Sequence, residues 1–391
     1  MVEISKHLFE GCCKDVHCSV IGHPWNSSCW AAAITTYKDS AIGSAKFYFV
    51  IHMIQNLMKG KKILEKKELM KAGEYYVRSA VLGALVSGSC GTILCILRWI
   101  LGRKIYYYTY LLIPSILNGV FILLEPPKRR SLVVNLFSNL LIEYWLRTLE
   151  RAGYVSLTKT KQTFLFMVGS ALLFYLMRLE GEREERTSLL WLFTPEKVRR
   201  KTDDLENVCP HNGPCIRYIV KGILTYFGIG FGFNMARVVL PRISSPWKAF
   251  SSLRLRHLDL GLFFASYIGI YRAVICYLCR KRGVDSAMYA LPAGYLAGLS
   301  FLFKPSLGFA ISSLTGAFKL YSTILYEKKI LTEKIPLPLI LYCLSQGTLF
   351  HARFMHPDVC PQYIMKVMHS VSNGRSDELY ASVLKACGRG C

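Results

Sequence analysis

The chain has 391 residues, of which 52% are apolar and only 19% charged, and its formal net charge is +24. Long apolar runs with so few charges exclude an ordinary soluble domain. The positive charge clusters between the apolar runs, at Lys59–Lys71, Lys128–Arg130, Arg178–Lys201 and Arg280–Arg282. That placement suits anionic lipid headgroups, and no nucleic-acid motif accompanies it, so nucleic acid is not an expected partner.

Residues 1–40 form a Cys/His-rich segment with Cys12, Cys13, His17, Cys18, His23 and Cys29. The stretch Met1–Asp15 has no apolar core and carries acidic residues, so targeting is expected to be internal. Thiolate and imidazole are zinc ligands, and four of them close a structural site. Cys18, His23 and Cys29 are therefore candidate ligands, although their spacing matches no standard finger. A Cys18–Cys29 disulfide is the competing use if the segment faces an oxidising space. Free thiols are the third reading.

Residues 41–151 read as a first membrane repeat. A bilayer needs about 20 apolar residues per helix. Ser79–Leu97 and Tyr106–Leu124 are uncharged, and Ala41–Leu57 and Leu132–Leu149 are apolar with embedded ionisable groups. Pro126 and Pro127 stop the Tyr106–Leu124 run, since proline cannot continue a helical hydrogen-bond ladder. Cys90 and Cys95, like Cys276 and Cys343 further on, read as small buried apolar residues.

Residues 152–208 add one more span, Thr163–Met177, and a charged tail, Arg178–Asn207, expected as a water-exposed linker. Residues 209–330 repeat the first plan. Cys209, His211 and Cys215 form a second candidate zinc set; then come Ile216–Leu240, Leu258–Cys279, Ser286–Phe303 ending at Pro305, and Ser306–Tyr326. Residues 331–391 hold a last span, Ile335–Phe350, and a polar tail. Windows of about 19 residues give roughly eight to ten candidate spans in all. The expected fold is all-α, a polytopic integral membrane helical bundle with two related halves.

The relation between the halves is residue by residue. Ala84, Gly88, Cys95, Leu97 and Gly102 recur at one constant offset as Ala265, Gly269, Cys276, Leu278 and Gly283. Gly119 and Pro126 recur, with their spacing kept, as Gly298 and Pro305. Small residues four apart, as in Ala80/Ala84/Gly88 and Gly261/Ala265/Gly269/Ala273, let helix backbones approach closely in lipid. Ordinary helix packing is the plain reading of these stripes.

Ionisable groups within the apolar runs are Lys46, His52, Glu143, Arg147, Lys221, Arg237, Arg272 and Lys319. Burying an unpaired charge in lipid is costly, so each asks for a partner or a function. Glu143 and Arg147 lie one turn apart and are expected to pair. Arg272 and Lys319 have no carboxylate in their own runs and are the candidates for binding an anionic lipid headgroup; snorkelling or helix-end pairing is the alternative. The hydrolase elbow, the phosphate-binding loop, the zinc-protease motif and the dinucleotide fingerprint are all absent, so catalysis is not expected and no catalytic residue is named.

The segment Cys18-x-x-x-Gly22-His23-x-Trp25-x-x-x-Cys29 resembles the cysteine-rich signature of the transmembrane protein 135 family. Cys215-x-x-Tyr218-x-x-Lys221-Gly222 resembles the start of that family's second half, and the runs from Cys95 to Gly102 and Ala293 to Ser300 resemble further family segments. The resemblance spans about Cys18 to Phe350; the C-terminal tail diverges. It implies a protein of peroxisomal and mitochondrial membranes, acting in lipid handling and mitochondrial fission, with a more distant likeness to the Tim17/Tim22/Tim23 and Pmp24 group. The partners implied are membrane lipids and mitochondrial fission or peroxisome import factors. Lipid or fatty-acyl passage between the halves is one expected mechanism. A scaffold that recruits soluble partners through basic loops such as Arg199–Lys201, or a translocase subunit, is the alternative.

Overall fold

In the computed structural model, residues 3–59, 65–179, 208–239, 258–330 and 336–389 are described, and every regular element among them is helical. The basic run Arg199–Lys201, most of the expected linker and the side chain of Arg237 lie outside these residues. Three described helices are long and apolar enough to cross a membrane: Lys66–Ile100, Lys159–Leu179 and Asp259–Arg282. The all-α membrane-protein fold expected from the sequence is thus what the chain adopts. It divides into two compact units. Unit 1 is Met1–Tyr154 with Pro336–Cys391, and unit 2 is Val155–Ile335.

Unit 1 opens with two short helices, α1 (Lys6–Cys13) and α2 (Cys18–Ile21). A long hairpin follows, α3 (Cys29–Lys59) and α4 (Lys66–Ile100). Its arms run antiparallel: Ser40 donates to Ser87, and Tyr76 to the carbonyl of Ala45. The repeated glycine Gly88 is where the arms close most tightly, because a Cβ there would strike the Tyr37 ring. Helix α4 ends at Leu101, and the next residue, Gly102, turns the chain with φ of 68°, a left-handed conformation that favours glycine.

The run Tyr106–Leu124, expected as one span, is not one helix. It consists of α5 (Tyr107–Tyr110), α6 (Leu112–Leu117) and a 3-10 turn over Asn118–Leu124. Pro114 supplies no backbone donor, and Gly119 lies so close to Cys343 that a side chain there would collide with it. Helix α7 (Pro127–Arg151) then starts at the prolines. The core of the unit joins Leu82, Val86, Phe137, Tyr342 and Leu349 in one cluster and Phe9, Ile21, Tyr110 and Phe354 in another.

Unit 2 starts with α8 (Lys159–Leu179) and repeats the same parts. The hairpin is α9 (Cys215–Val239) with α10 (Asp259–Arg282). The backbones of its arms come close at Gly230, where a Cβ would fall 2.6 Å from the Leu260 carbonyl, while at the repeated glycine Gly269 a Cβ would fall 2.8 Å from Ile223. Helix α10 is capped by Gly283, again with φ of 68°. The expected span Ser286–Phe303 is also broken, into a 3-10 turn, α11 (Ala290–Ala297) and a second 3-10 turn over Gly298–Phe303. Helix α12 (Leu307–Glu327) completes the repeat. Phe166, Phe174, Phe263, Tyr267 and Phe301 fill the core. The small-residue stripes therefore do serve packing. Gly294 and Gly298 lie against Ala171 and Met167 of α8, too close for a side chain.

One helix of each unit lies, along the chain, beyond the other unit's repeat. Helix α13 (Leu337–Met355) follows the second repeat yet packs on α6 and α7 of unit 1. There Gln346 donates to Asn118 and to the carbonyl of Ser115. Helix α8 follows the first repeat yet packs on α11 and α12 of unit 2. Two C-terminal helices, α14 (Gln362–Val371) and α15 (Arg375–Arg389), finish unit 1.

Candidate metal centres

Each unit gathers three cysteines and one histidine. In unit 1 they are Cys18, His23, Cys29 and Cys95, and in unit 2 Cys209, His211, Cys215 and Cys276; within each set the ligand atoms lie within 4.8 Å of one another. The hairpins explain why. Cys29 is the first residue of α3 and Cys95 lies in the last turns of α4. Antiparallel arms bring a helix start beside its partner's end. Cys215, first in α9, and Cys276, near the end of α10, meet for the same reason. The remaining groups come from the segments before each hairpin, which are folded back by local bonds. Gly22 and His23 donate to the carbonyl of Cys18 in unit 1, and His211 donates to the carbonyl of Cys209 in unit 2.

Three of the edges are close to those of a tetrahedral ion. With Zn–S of about 2.3 Å and Zn–N of about 2.0 Å, the sulfur–sulfur edge is about 3.8 Å and the nitrogen–sulfur edge about 3.5 Å. Cys18 and Cys29 sulfurs are 3.5 Å apart, Cys209 and Cys215 sulfurs 3.7 Å, and His211 Nε2 lies 3.3 Å from Cys276 Sγ. His23 is oriented for ligation. Its Nδ1 lies 2.8 Å from the carbonyl of Asn26, which only accepts, so Nδ1 carries the proton and Nε2 presents a lone pair. That Nε2 is buried with no hydrogen-bond partner. An orphaned buried acceptor facing thiols is what a metal would satisfy.

The two surroundings differ. In unit 1, burial and the neighbouring Cys29 thiol hold the Cys18 thiol above its ordinary pKa, while the Arg98 cation acts the other way. Cys18 is buried but Cys29 is exposed. In unit 2 both Cys215 and Cys276 are buried. The His211 ring stacks on Tyr218 at 4.2 Å, and the Arg272 guanidinium sits 4.1 Å from the same Tyr218 ring. Burial lowers the pKa of His211, a backbone hydrogen bond at Asn212 opposes it, and the Arg272 and Arg280 cations add to the lowering, which favours the neutral ring that a metal needs.

The other sequence candidates are placed as follows. Cys12 and Cys13 turn away from the cluster towards α15, with Cys13 Sγ 3.8 Å from Cys387 Sγ. His17 caps α2 by accepting from the amide of Ser19. Arg272 is engaged by Tyr218: it donates to the Tyr218 carbonyl at 2.7 Å and lies over its ring. Lys319 is half-buried on α12, where its carbonyl accepts from Ser322 and Thr323. Arg147 donates to Glu143 at 2.7 Å, as the spacing predicts. Arg178 is no linker residue. It is buried at the end of α8 and paired with Asp285.

Cys95 and Cys276, which the sequence offers as small apolar residues, each lie with their set and could serve as its fourth ligand. The signal was already in the repeat, which carries a cysteine at both positions.

Residues 15–149 match the family model of the N-terminal cysteine-rich region of Transmembrane protein 135. The resemblance to the transmembrane protein 135 family, read from Cys18, Gly22, His23, Trp25 and Cys29, is supported over that stretch. The matched residues include α3, α4 and the whole ligand set of unit 1. No solved structure matches the chain.

Proposed function

We propose that this chain is a multi-pass membrane protein of peroxisomes, mitochondria or both, acting in lipid handling and mitochondrial dynamics, and that one zinc ion holds the hairpin of each unit. The match to the cysteine-rich region supports the first part. The observation that carries the second is the pair of three-thiol, one-imidazole sets, each with its ligand atoms within 4.8 Å. Four protein ligands fill a tetrahedral zinc completely, which suits a structural site and leaves no position for substrate. Cys18, His23, Cys29 and Cys95 would hold one ion and Cys209, His211, Cys215 and Cys276 the other. Each ion would tie a loop and a helix start to the end of a membrane helix.

Elemental analysis of the purified full chain tests the metal. The expected content is two zinc ions per chain, falling to one in Cys95→Ser and one in Cys276→Ser. A chain without zinc overturns that part. Flux of labelled phospholipid and fatty acid across liposomes containing the chain tests lipid handling. Flux above that of empty liposomes is expected, falling in an Arg272→Gln/Lys319→Gln variant that keeps its zinc. No flux from a folded, zinc-loaded chain overturns it.

A further inference from the structure

The two ligand sets share their chemistry but not their cover. Cys29 is exposed at the start of α3, beside Trp30, which is 77% exposed. Its neighbour Cys18 is 3.5 Å away, on a helix of one turn. Residues between them form a loop whose only regular element is that turn, so the two sulfurs have little to overcome in closing to the bonded distance of about 2.05 Å. In unit 2 the thiol at the same place, Cys215, is buried, and so is Cys276. The stack of His211 on Tyr218, and the Arg272 bond to the Tyr218 carbonyl, brace the set against α10. Oxidation of cysteine follows exposure of the sulfur.

We propose that the unit 1 site is a peroxide-sensitive zinc site: hydrogen peroxide closes a Cys18–Cys29 disulfide and frees its ion, while the unit 2 site keeps its own. This deepens the zinc reading above and rests on it. The exposed Cys29 thiolate attacks one peroxide oxygen, breaking the O–O bond, to give a sulfenic acid and hydroxide. The Cys18 thiolate then attacks the Cys29 sulfur, forming the S–S bond and expelling a second hydroxide. Two electrons pass from the two thiolates to the peroxide, and two protons from solvent turn the hydroxides into water. Zinc is left with His23 and Cys95 alone, too few ligands to retain it. Reduction by a dithiol with zinc present restores the site.

The test uses the full chain in nanodiscs, with zinc content measured first and then hydrogen peroxide added while released zinc is followed with a chromogenic chelator. One of the two ions is expected to leave about tenfold faster than the other, as exposure dictates. Alkylation followed by non-reducing peptide mapping is expected to find Cys18 linked to Cys29 at the end of the fast phase, with Cys209 and Cys215 still unlinked. A Cys276→Ser chain, which retains the unit 1 site, should show the fast phase alone. If that variant does not fold, peptide mapping of the unsubstituted chain decides. Release of both ions at one rate, a Cys209–Cys215 link formed first, or fast release without a Cys18–Cys29 link overturns the inference. A chain that contains no zinc before peroxide is added fails the underlying reading instead, and the inference with it.

Discussion

In unit 1 the candidate set includes an exposed thiol at the hairpin's start, Cys29, and the Arg98 cation acts on Cys18. In unit 2 the equivalent thiol, Cys215, is buried, and Tyr218, Arg272 and Arg280 crowd around His211. The ligand positions agree because the antiparallel hairpin fixes which helix start meets which helix end. The surroundings diverge because nothing in the hairpin register dictates them. The ligands therefore follow from a repeated backbone plan, whereas their accessibility belongs to each unit separately.

Stripping metal with a chelator breaks the comparison most completely. Both hairpins should lose their ties, with protease cleavage appearing first in the Gly22–Ser28 loop of unit 1, whose Cys29 is the reachable ligand. Acid acts in the same direction, since protons compete with zinc for thiolate and imidazole, so metal content falls as pH falls.

Next in size is the pair Arg178–Asp285, whose side chains are 2% and 9% exposed. Asp285→Ala leaves a buried guanidinium uncompensated and is expected to cost about 3–5 kcal/mol. Thermal unfolding in one detergent, with unit 2 followed by hydrogen exchange, measures it; a loss confined to unit 1 would contradict the assignment.

The repeated glycines of the two hairpins can be compared directly. Gly88→Ala drives a methyl into the Tyr37 ring, and Gly269→Ala drives one against Ile223. Overpacking of this kind costs about 1–3 kcal/mol. Gly88→Ala should fall at the upper end, because an aromatic ring yields less than an aliphatic tip. Equal losses of thermal stability would show that the two hairpins are equally rigid.

The smallest effect is expected at Glu143–Arg147, where Arg147 is 41% exposed. Glu143, only 13% exposed, is the more covered partner; Glu143→Gln should cost about 0.2–1 kcal/mol, less at high salt, because the guanidinium keeps its water.

Much of this was legible in the sequence. The apolar runs gave the helical class, the repeated Gly102 and Gly283 marked where α4 and α10 end, and Glu143 and Arg147 announced their pairing by spacing alone. Cys18, His23 and Cys29, and Cys209, His211 and Cys215, were visible as candidate ligand sets because each lies within one short segment. These are local features, and local geometry follows from neighbours in the chain.

The rest required the tertiary structure. Cys95 and Cys276 join the candidate ligand sets only because antiparallel packing sets a helix end against a helix start many residues away, and composition makes such cysteines look like apolar filler. Within the broken runs Tyr106–Leu124 and Ser286–Phe303, Gly119 and Gly298 meet Cys343 and Met167 of other helices, contacts that no local pattern announces. The exchange of α8 and α13 between the units has no local mark, since each helix is equally apolar wherever it packs. Hydropathy and spacing decide what a segment can become; contacts between distant segments decide which atoms meet.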